Sequence, residues 1–441
     1  MRYQNRLTVI LLMLCFGSCN ENKDSKINFF SISRSDYQNN LEGFWLGQSI
    51  ANWTGLVTEM DKIGIPTSDG RGAGFYTRDD WGKKDQPNIW GEYKNNLSKT
   101  IDFKYAEKDS VWGSDDDTDI EYMYQELLIK HHSIYLTGDQ IRNGWLSHIN
   151  REEENYLWVS NQRAYDLMQN GMIPPETSDP KNNSFFEMID AQLTTEIFGL
   201  YAPTNPEIAL KLSYLPIRTT ASGSAAKIAE FYVIMHSLAS TRKIFKDLKS
   251  KTQWIAKKAR LHLPDEKYPA KMFDFVLKNY NNGVPWEKTR DLLHEKYQIQ
   301  QEDGYLMSSK DDDCSGCFAA GINFGASIIS LLYGEGDFKE TIKIGALTGW
   351  DSDNPTATWG GLLGFMLGKK EIEKIMGKQL SNKYDIHRTR KGFSNSGIDS
   401  FDNMASKGLA IINKVVLRKM GGFIDKKNER WILPSTSSNY E

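Results

Sequence analysis

The sequence predicts an all-α fold, and three observations predict it. From Leu41 onward apolar residues recur at helical spacing, alternation of period two is scarce, and two acid-rich runs each open an apolar helix. The runs are Asp115-Asp116-Asp117-Thr118-Asp119 and Asp351-Ser352-Asp353, far apart in the chain. After the first, Ile120, Met123, Tyr124, Leu127 and Leu128 repeat at the i, i+3, i+4, i+7, i+8 spacing of a helix with one buried face. After the second, Pro355 suits a first helical position and Asp353 or Asn354 can cap the end.

Taken in order, the chain opens with Arg2 and Arg6 ahead of an apolar stretch from Leu7 to Phe16, then Gly17-Ser18-Cys19. Residues 1–19 read as an export signal, too short in its apolar part to remain as a membrane span. Small residues before Cys19 resemble a bacterial lipoprotein signal, in which Cys19 is lipidated and becomes the first mature residue. Phe16 stands where Leu is usual, so plain secretion stays open. Residues 20–40 read as a linker, polar and tether-like from Asn20 to Lys26. A helix follows over 41–58, where Gly43, Gly47 and Gly55 permit close packing on a neighbour. Residues 60–113, rich in Gly, Asp, Trp and Asn, predict a long loop over a site, since ordered loops of that length are uncommon without a function. Helical patterns then run through 118–137, 139–149, 152–170, 185–200, 205–214, 223–248, 268–280, 286–297, 316–332, 338–349, 355–367 and 400–419. Gly360, Gly361, Gly364 and Gly368 would weaken an exposed helix but suit a buried, closely packed one. Residues 421–441 read as a loosely attached tail, so the folded unit is expected over 41–420. No repeat of fixed period appears, and no GxGxxG, P-loop or HExxH motif points to nucleotide or zinc chemistry.

Composition narrows the function classes. The 441 residues are ample for one large core, and a net charge of −3 with no long basic block argues against nucleic acid as a partner. Aromatic residues are plentiful (12 Trp, 20 Tyr, 20 Phe), enough for stacking on a sugar or base, although most aromatics belong to cores. Beyond the signal, the cysteines are Cys314 and Cys317; one CxxC lacks the second ligand pair of a structural zinc site, so it closes a small disulfide or stays free.

The acidic runs carry the chemistry. A helix N-terminus favours one or two carboxylates, because its free N–H groups and dipole attract negative charge. It does not hold a packed cluster of them. If the fold brings both ends together, the repulsion calls for cations, and hard oxygen ligands suit Mg²⁺, Mn²⁺ or Ca²⁺. The competing explanation is capping alone, with each run facing water. A third run, Asp311-Asp312-Asp313, precedes Cys314-Ser315-Gly316-Cys317 rather than an apolar periodic segment and reads as a surface loop.

These elements resemble the ADP-ribosylglycohydrolase family. Its first signature spaces Gly, Gly and Gly-Asp evenly, with a Glu further on; here Gly43, Gly47, Ala51-Asn52, Gly55 and Glu59 stand in those places. Its Thr-Asp-Asp-Thr run is matched by Asp115-Asp116-Asp117-Thr118. Its Gly-x-Asp-Thr-Asp-Thr run is matched by Gly349-Trp350-Asp351-Ser352-Asp353-Asn354, ahead of Ala357-Thr358-Trp359-Gly360. The stretch from Leu331 to Phe338, Ile197-Phe198-Gly199 and Pro203-Thr204-Asn205-Pro206 resemble a divergent bacterial branch. The resemblance implies a compact orthogonal helical domain enclosing two divalent cations, Mg²⁺ with Mn²⁺ as an alternative. It implies Asp115, Asp116, Asp117, Asp351, Asp353 and Asn354 as metal ligands, and Glu59, Asp116 and Asp353 as the catalytic acids. Phe75, Tyr76 and Trp112 are candidates to stack on the substrate. Departures are Asp115 in place of Thr, which adds a carboxylate, Asn52 in place of Asp, Asn354 in place of Thr or Ser, and Ala221 where related sequences have His.

The activity implied is metal-dependent hydrolysis of a glycosidic bond in an ADP-ribose-type or related ribosyl conjugate. The partner is then a small molecule or an ADP-ribosylated substrate, the membrane enters only through the lipid on Cys19, and the protein acts as a monomer outside the cytoplasm. An exported protein meets few cytoplasmic ADP-ribosylated targets, so a glycosidase acting on another nucleoside or glycan is the second reading. A ligand-binding lipoprotein without activity, and a scaffold whose acidic runs are only caps, are the third and fourth.

Overall fold

The computed structural model describes residues 28–67, 70–85, 97–150, 156–306 and 314–435. The export signal, the lipidation site Cys19 and the run 311–313 lie outside the described residues. Sixteen helices among those residues carry the fold. They are α1 (Arg34–Gly55), α2 (Asp116–Lys130), α3 (Gly138–His148), α4 (Val159–Gln169), α5 (Asp190–Leu193), α6 (Ile197–Leu200), α7 (Pro206–Ile217) and α8 (Gly223–Leu238). After them come α9 (Leu248–Arg260), α10 (Tyr268–Asn281), α11 (Trp286–Leu293), α12 (Ala320–Tyr333), α13 (Phe338–Thr348), α14 (Asp353–Leu367), α15 (Lys369–Met376) and α16 (Phe401–Arg418). The all-α expectation holds, and no described helix is long and apolar enough to cross a membrane.

The glycines of α1 and α14 explain the centre of the molecule. A Cβ added at Gly47 would stand 2.2 Å from the Gly360 carbonyl oxygen, and one at Gly43 would stand 2.3 Å from that of Gly364. Backbone meets backbone here, so both helices need hydrogen in place of side chains. At the end of this contact a Cβ on Gly55 would lie 2.4 Å from the Asp353 Cα. The close packing thus delivers the C-terminal end of α1 to the N-terminal end of α14. Ile50 and Ala51 on α1, and Trp359 and Leu362 on α14, are fully buried in the surrounding core.

Several expectations are corrected. The linker and tail boundaries do not hold: β1 (Phe29–Ser33) pairs antiparallel with β8 (Arg430–Pro434), which also pairs with β7 (Phe423–Asp425). The cause is a short alternation that sends Trp431 and Leu433 inward, the indole N–H of Trp431 donating to Asn413 Oδ1 at 2.7 Å. Residues 34–40 already belong to α1, where buried Tyr37 donates to the Leu200 carbonyl at 2.6 Å. The loop 60–113 contains β2 (Lys62–Gly64), β3 (Gly72–Ala73) and β4 (Trp112–Gly113), the last joined in parallel to β5 (Lys383–Asp385), which pairs with β6 (Ile398–Ser400). The 223–248 pattern breaks at Leu238, and a separate helix, α9, begins where Asp247 caps it by accepting from the Ser250 N–H at 2.7 Å. Residues 185–200 form turns with only the short α5 and α6.

His236 sits in this core with no exposure, its Nδ1–H donating to the Tyr232 carbonyl at 2.9 Å while Nε2 lacks a partner. Burial pushes its pKa down to about 4. An unfolded imidazole titrates near ~6.5, so between those values the unfolded chain takes up a proton that the folded protein refuses. Stability should therefore fall as pH drops through that window, by on the order of 3 kcal/mol in total from this group. Urea unfolding of wild type and His236→Leu at a series of pH values checks it: the difference between the two curves should carry that slope.

Candidate metal centre

The first acidic run is held by its own cap and by a basic turn. The Asp115 N–H donates to Thr118 Oγ1 at 3.1 Å, and α2 starts at Asp116. Two arginines of the 386–390 turn brace this end. Arg390 Nη2 lies 3.0 Å from Asp119 Oδ1 with both side chains fully buried, and Arg388 Nη1 donates to Asp115 Oδ1 at 2.9 Å. Breaking a buried pair by removing one partner leaves a bare charge, so the turn is as much a part of this helix end as the cap.

The second run is stitched to the turn that carries Glu59. The Met60 N–H donates to the Trp350 carbonyl at 2.9 Å and the Trp350 N–H to the Lys62 carbonyl at 3.1 Å. Ser352 Oγ donates to the Gly55 carbonyl at 3.0 Å and shares a 3.0 Å hydrogen bond with Thr58 Oγ1. Gly349, at φ +105°, makes the reversal into this run, and a Cβ there would meet Phe75 and the Lys62 carbonyl at 2.7 Å.

Together these contacts gather carboxylates from three parts of the chain. Asp115, Asp116, Asp117 and Asp353 each offer an oxygen within 4.8 Å of one another, and Glu59, Asp351 and Asp353 do the same. Asp353 belongs to both groups. Asp115, Asp117, Asp351 and Asp353 are buried, whereas Glu59 and Asp116 are partly open to solvent. Burial, then the Asp351, Asp115 and Asp117 carboxylates, hold Glu59 well above the usual carboxylate range. Burial and the neighbouring acids raise Asp116 and Asp353 well above it too, and burial leads the rise of Asp117. Burial takes Asp351 to about 6. The group repels itself, and Asp353 Oδ1 is buried with no hydrogen-bond partner. An all-oxygen donor set with an unpaired carboxylate oxygen at its junction fits hard divalent cations.

Two expected ligands also carry hydrogen bonds within the protein. Asn354 Nδ2 donates to Asp117 Oδ1 at 3.0 Å, and its amide oxygen accepts from Gln192 Nε2 at 3.0 Å. Through these bonds Asn354 orients Asp117. Asp115 has donors on both oxygens, Arg388 on one and Asn52 Nδ2 on the other at 3.1 Å, so its added charge is already offset. The same amide of Asn52 reaches Asp353 Oδ2 at 3.4 Å and bridges the two runs. The Asp351 N–H donates to Asn323 Oδ1 at 3.3 Å, and Asn323 Nδ2 donates to the Cys317 carbonyl at 2.8 Å, beside the Cys314–Cys317 disulfide.

The stacking candidates are also corrected. Trp112 is buried in β4 with its indole N–H on the Ser381 carbonyl at 3.0 Å, and Tyr76 is buried with its hydroxyl on Asp61 and Asp85 at 3.0 and 2.7 Å. Phe75 is partly buried against Trp350, His294 and Arg290, with ring centroids 4.9 and 5.3 Å away for the first two. Trp53, partly exposed, lies over the Arg388 guanidinium that pairs with Asp115, and its indole N–H donates to the Gly113 carbonyl at 2.9 Å. Its position one residue after Asn52 was the available sequence signal. For Arg388 and Arg390 the signal was Arg-Thr-Arg in a segment without helical periodicity.

The fold is all-α, and its clustered acids could hold a metal ion. The chain belongs to the ADP-ribosylglycohydrolase family, whose model matches residues 33–401. Among solved structures it is similar to a chain of an "ADP-ribosylglycohydrolase-related protein complex", at 14% identity and a TM-score of 0.42, covering 86% of this chain and 98% of that one. No curated protein matches. The family supports glycohydrolase activity on ADP-ribose-type substrates, and the acidic cluster could hold metal ions.

Proposed function

We propose that the protein hydrolyses the glycosidic bond of an ADP-ribose-type or related ribosyl conjugate with the help of two divalent ions, Mg²⁺ or Mn²⁺. One observation carries this reading: Asp353 stands at the junction of two carboxylate groups that also contain Glu59, Asp116, Asp117 and Asp351. Those residues would hold the ions, which supply Lewis acidity and fix the sugar hydroxyls. Glu59 is suited to act as general base toward a water, because it is partly open to solvent and lies beside Asp351 and Asp353. Departure of the aglycone leaves positive charge on the sugar ring, which Asp116, the other partly exposed acid, stabilises electrostatically. Asn52 and Asn354 contribute neutral amides that align Asp115, Asp353 and Asp117 without adding charge.

A second reading, an exported glycosidase acting on another nucleoside or glycan, is favoured by the Cys314–Cys317 disulfide, since disulfides persist in oxidising compartments. Export and lipidation at Cys19 belong to the same proposal. Release of ADP-ribose from ribosyl conjugates, and of sugar from a panel of nucleosides and glycosides, should be followed with Mg²⁺ and with EDTA. Turnover that vanishes with EDTA and returns with Mg²⁺ is expected, together with a lower melting temperature under chelation, because bound ions offset the clustered charge. Saturable ligand binding with no product would instead make the protein a binding module.

A further inference from the structure

Arg388 has work left over after it has paired with Asp115. Its Nη1 is spent on the protein, donating to Asp115 Oδ1 at 2.9 Å and to the Ser114 carbonyl. Its Nε and Nη2, the pair of parallel donors on the other edge of the guanidinium, make no hydrogen bond among the described residues, and the side chain is 30% exposed. The plane is held in place from the sides: the Trp53 ring lies 4.8 Å from the guanidinium carbon and the Tyr156 ring 5.1 Å from it. Gly113 keeps this space clear, since a Cβ there would stand 2.6 Å from Arg388 Cδ and 3.0 Å from the Trp53 ring. A rigidly held fork with two unspent donors matches two oxygens of one phosphate or carboxylate group. It is also tied directly to Asp115, and through Asn52 to Asp353, so it stands at the rim of the metal centre.

We infer that Arg388 is a specificity-determining residue that binds an oxyanion of the substrate, a phosphate or a carboxylate, beside the sugar held at the metal centre. The inference rests on the proposed function only for the identity of the neighbouring sugar site. Asp115 anchors one edge of the guanidinium and so aims the other. Trp53 and Tyr156 confine the anion to the plane of the fork.

The test uses the purified protein with and without Mn²⁺, titrated in NMR binding experiments with ribose, ribose 5-phosphate, galactose and galacturonate. Wild type should bind one charged probe at least about tenfold more tightly than its neutral counterpart, as a two-point charge-assisted contact provides. Whether the phosphate or the carboxylate arm shows it identifies the source. Arg388→Lys keeps the charge but loses the fork, and should weaken the preference. Asp115→Thr with Arg388→Gln removes both partners, leaves no bare carboxylate to unfold the protein, and should abolish it. No preference in wild type, or a preference that survives in the double variant, overturns the inference. Calorimetry with Mn²⁺ alone separates this from the metal reading: absence of Mn²⁺ binding sinks the metal centre, while a charged-probe preference in the metal-free protein still upholds Arg388.

Discussion

Asp353→Asn should reduce turnover by on the order of 10²–10³-fold or more while leaving the fold intact. Asp353 is shared by both carboxylate groups, so its loss weakens both places an ion would sit. Its Oδ1 has no protein partner, and the substitution removes no hydrogen bond from that oxygen. The accompanying stability change distinguishes this from simple damage. Burial, together with Glu59, Asp117 and Asp351, raises the Asp353 pKa well above its usual range, so the ionised group costs stability in the metal-free protein. The variant should melt higher than wild type in EDTA and gain less on adding Mg²⁺. Thermal melts in both conditions, beside steady-state turnover, read all three effects. A variant that melts lower in EDTA and keeps its turnover would show Asp353 to be a structural cap.

Gly47→Ala should be the most damaging change outside the acids. Its new Cβ would meet the Gly360 carbonyl oxygen at 2.2 Å, and neither backbone can rotate away as a side chain can. Overpacking of this kind costs about 3 kcal/mol or more, set against the small gain from replacing a helical glycine. Separation of α1 from α14 would also draw the Glu59 turn away from Asp351, so metal affinity should fall with stability. Gly408→Ala in α16 supplies the contrast: its Cβ would meet the Leu41 Cδ1 methyl at 3.1 Å, a side-chain tip that can shift. Chemical denaturation of the two variants should show a large loss for the first and little change for the second.

What the sequence revealed follows physical range. The starts of α2 and α14 were legible because caps and helical periodicity are local: Asp116 and Asp353 open their helices within a residue or two of expectation. That α1 and α14 each pack closely on a neighbour was legible from their glycines; that they pack on each other was not. The meeting of Glu59 with both runs was not; it depended on the family resemblance, because contacts between distant residues leave no trace in spacing. The same reason hid the amide of Asn52 between Asp115 and Asp353, the engagement of Asn354 by Gln192, and the arginines of the 386–390 turn. Residue type misled at Trp112 and Tyr76. An aromatic ring in a glycine-rich segment looks available for stacking, yet β4 pairs with β5 and takes Trp112 into the core, while Trp53 on α1 remains partly open. The tail misled for a related reason: the strand is short, and its inward alternation is visible only at Trp431 and Leu433.

The central claim is that acids remote in the chain hold divalent ions around Asp353. Anomalous diffraction from crystals grown with Mn²⁺ measures it directly. Two strong peaks sharing the Asp353 carboxylate are expected, one toward Asp116 and Asp117 and the other toward Glu59 and Asp351. Density maps with no anomalous peak within bonding distance of Asp353, at saturating Mn²⁺, would contradict it.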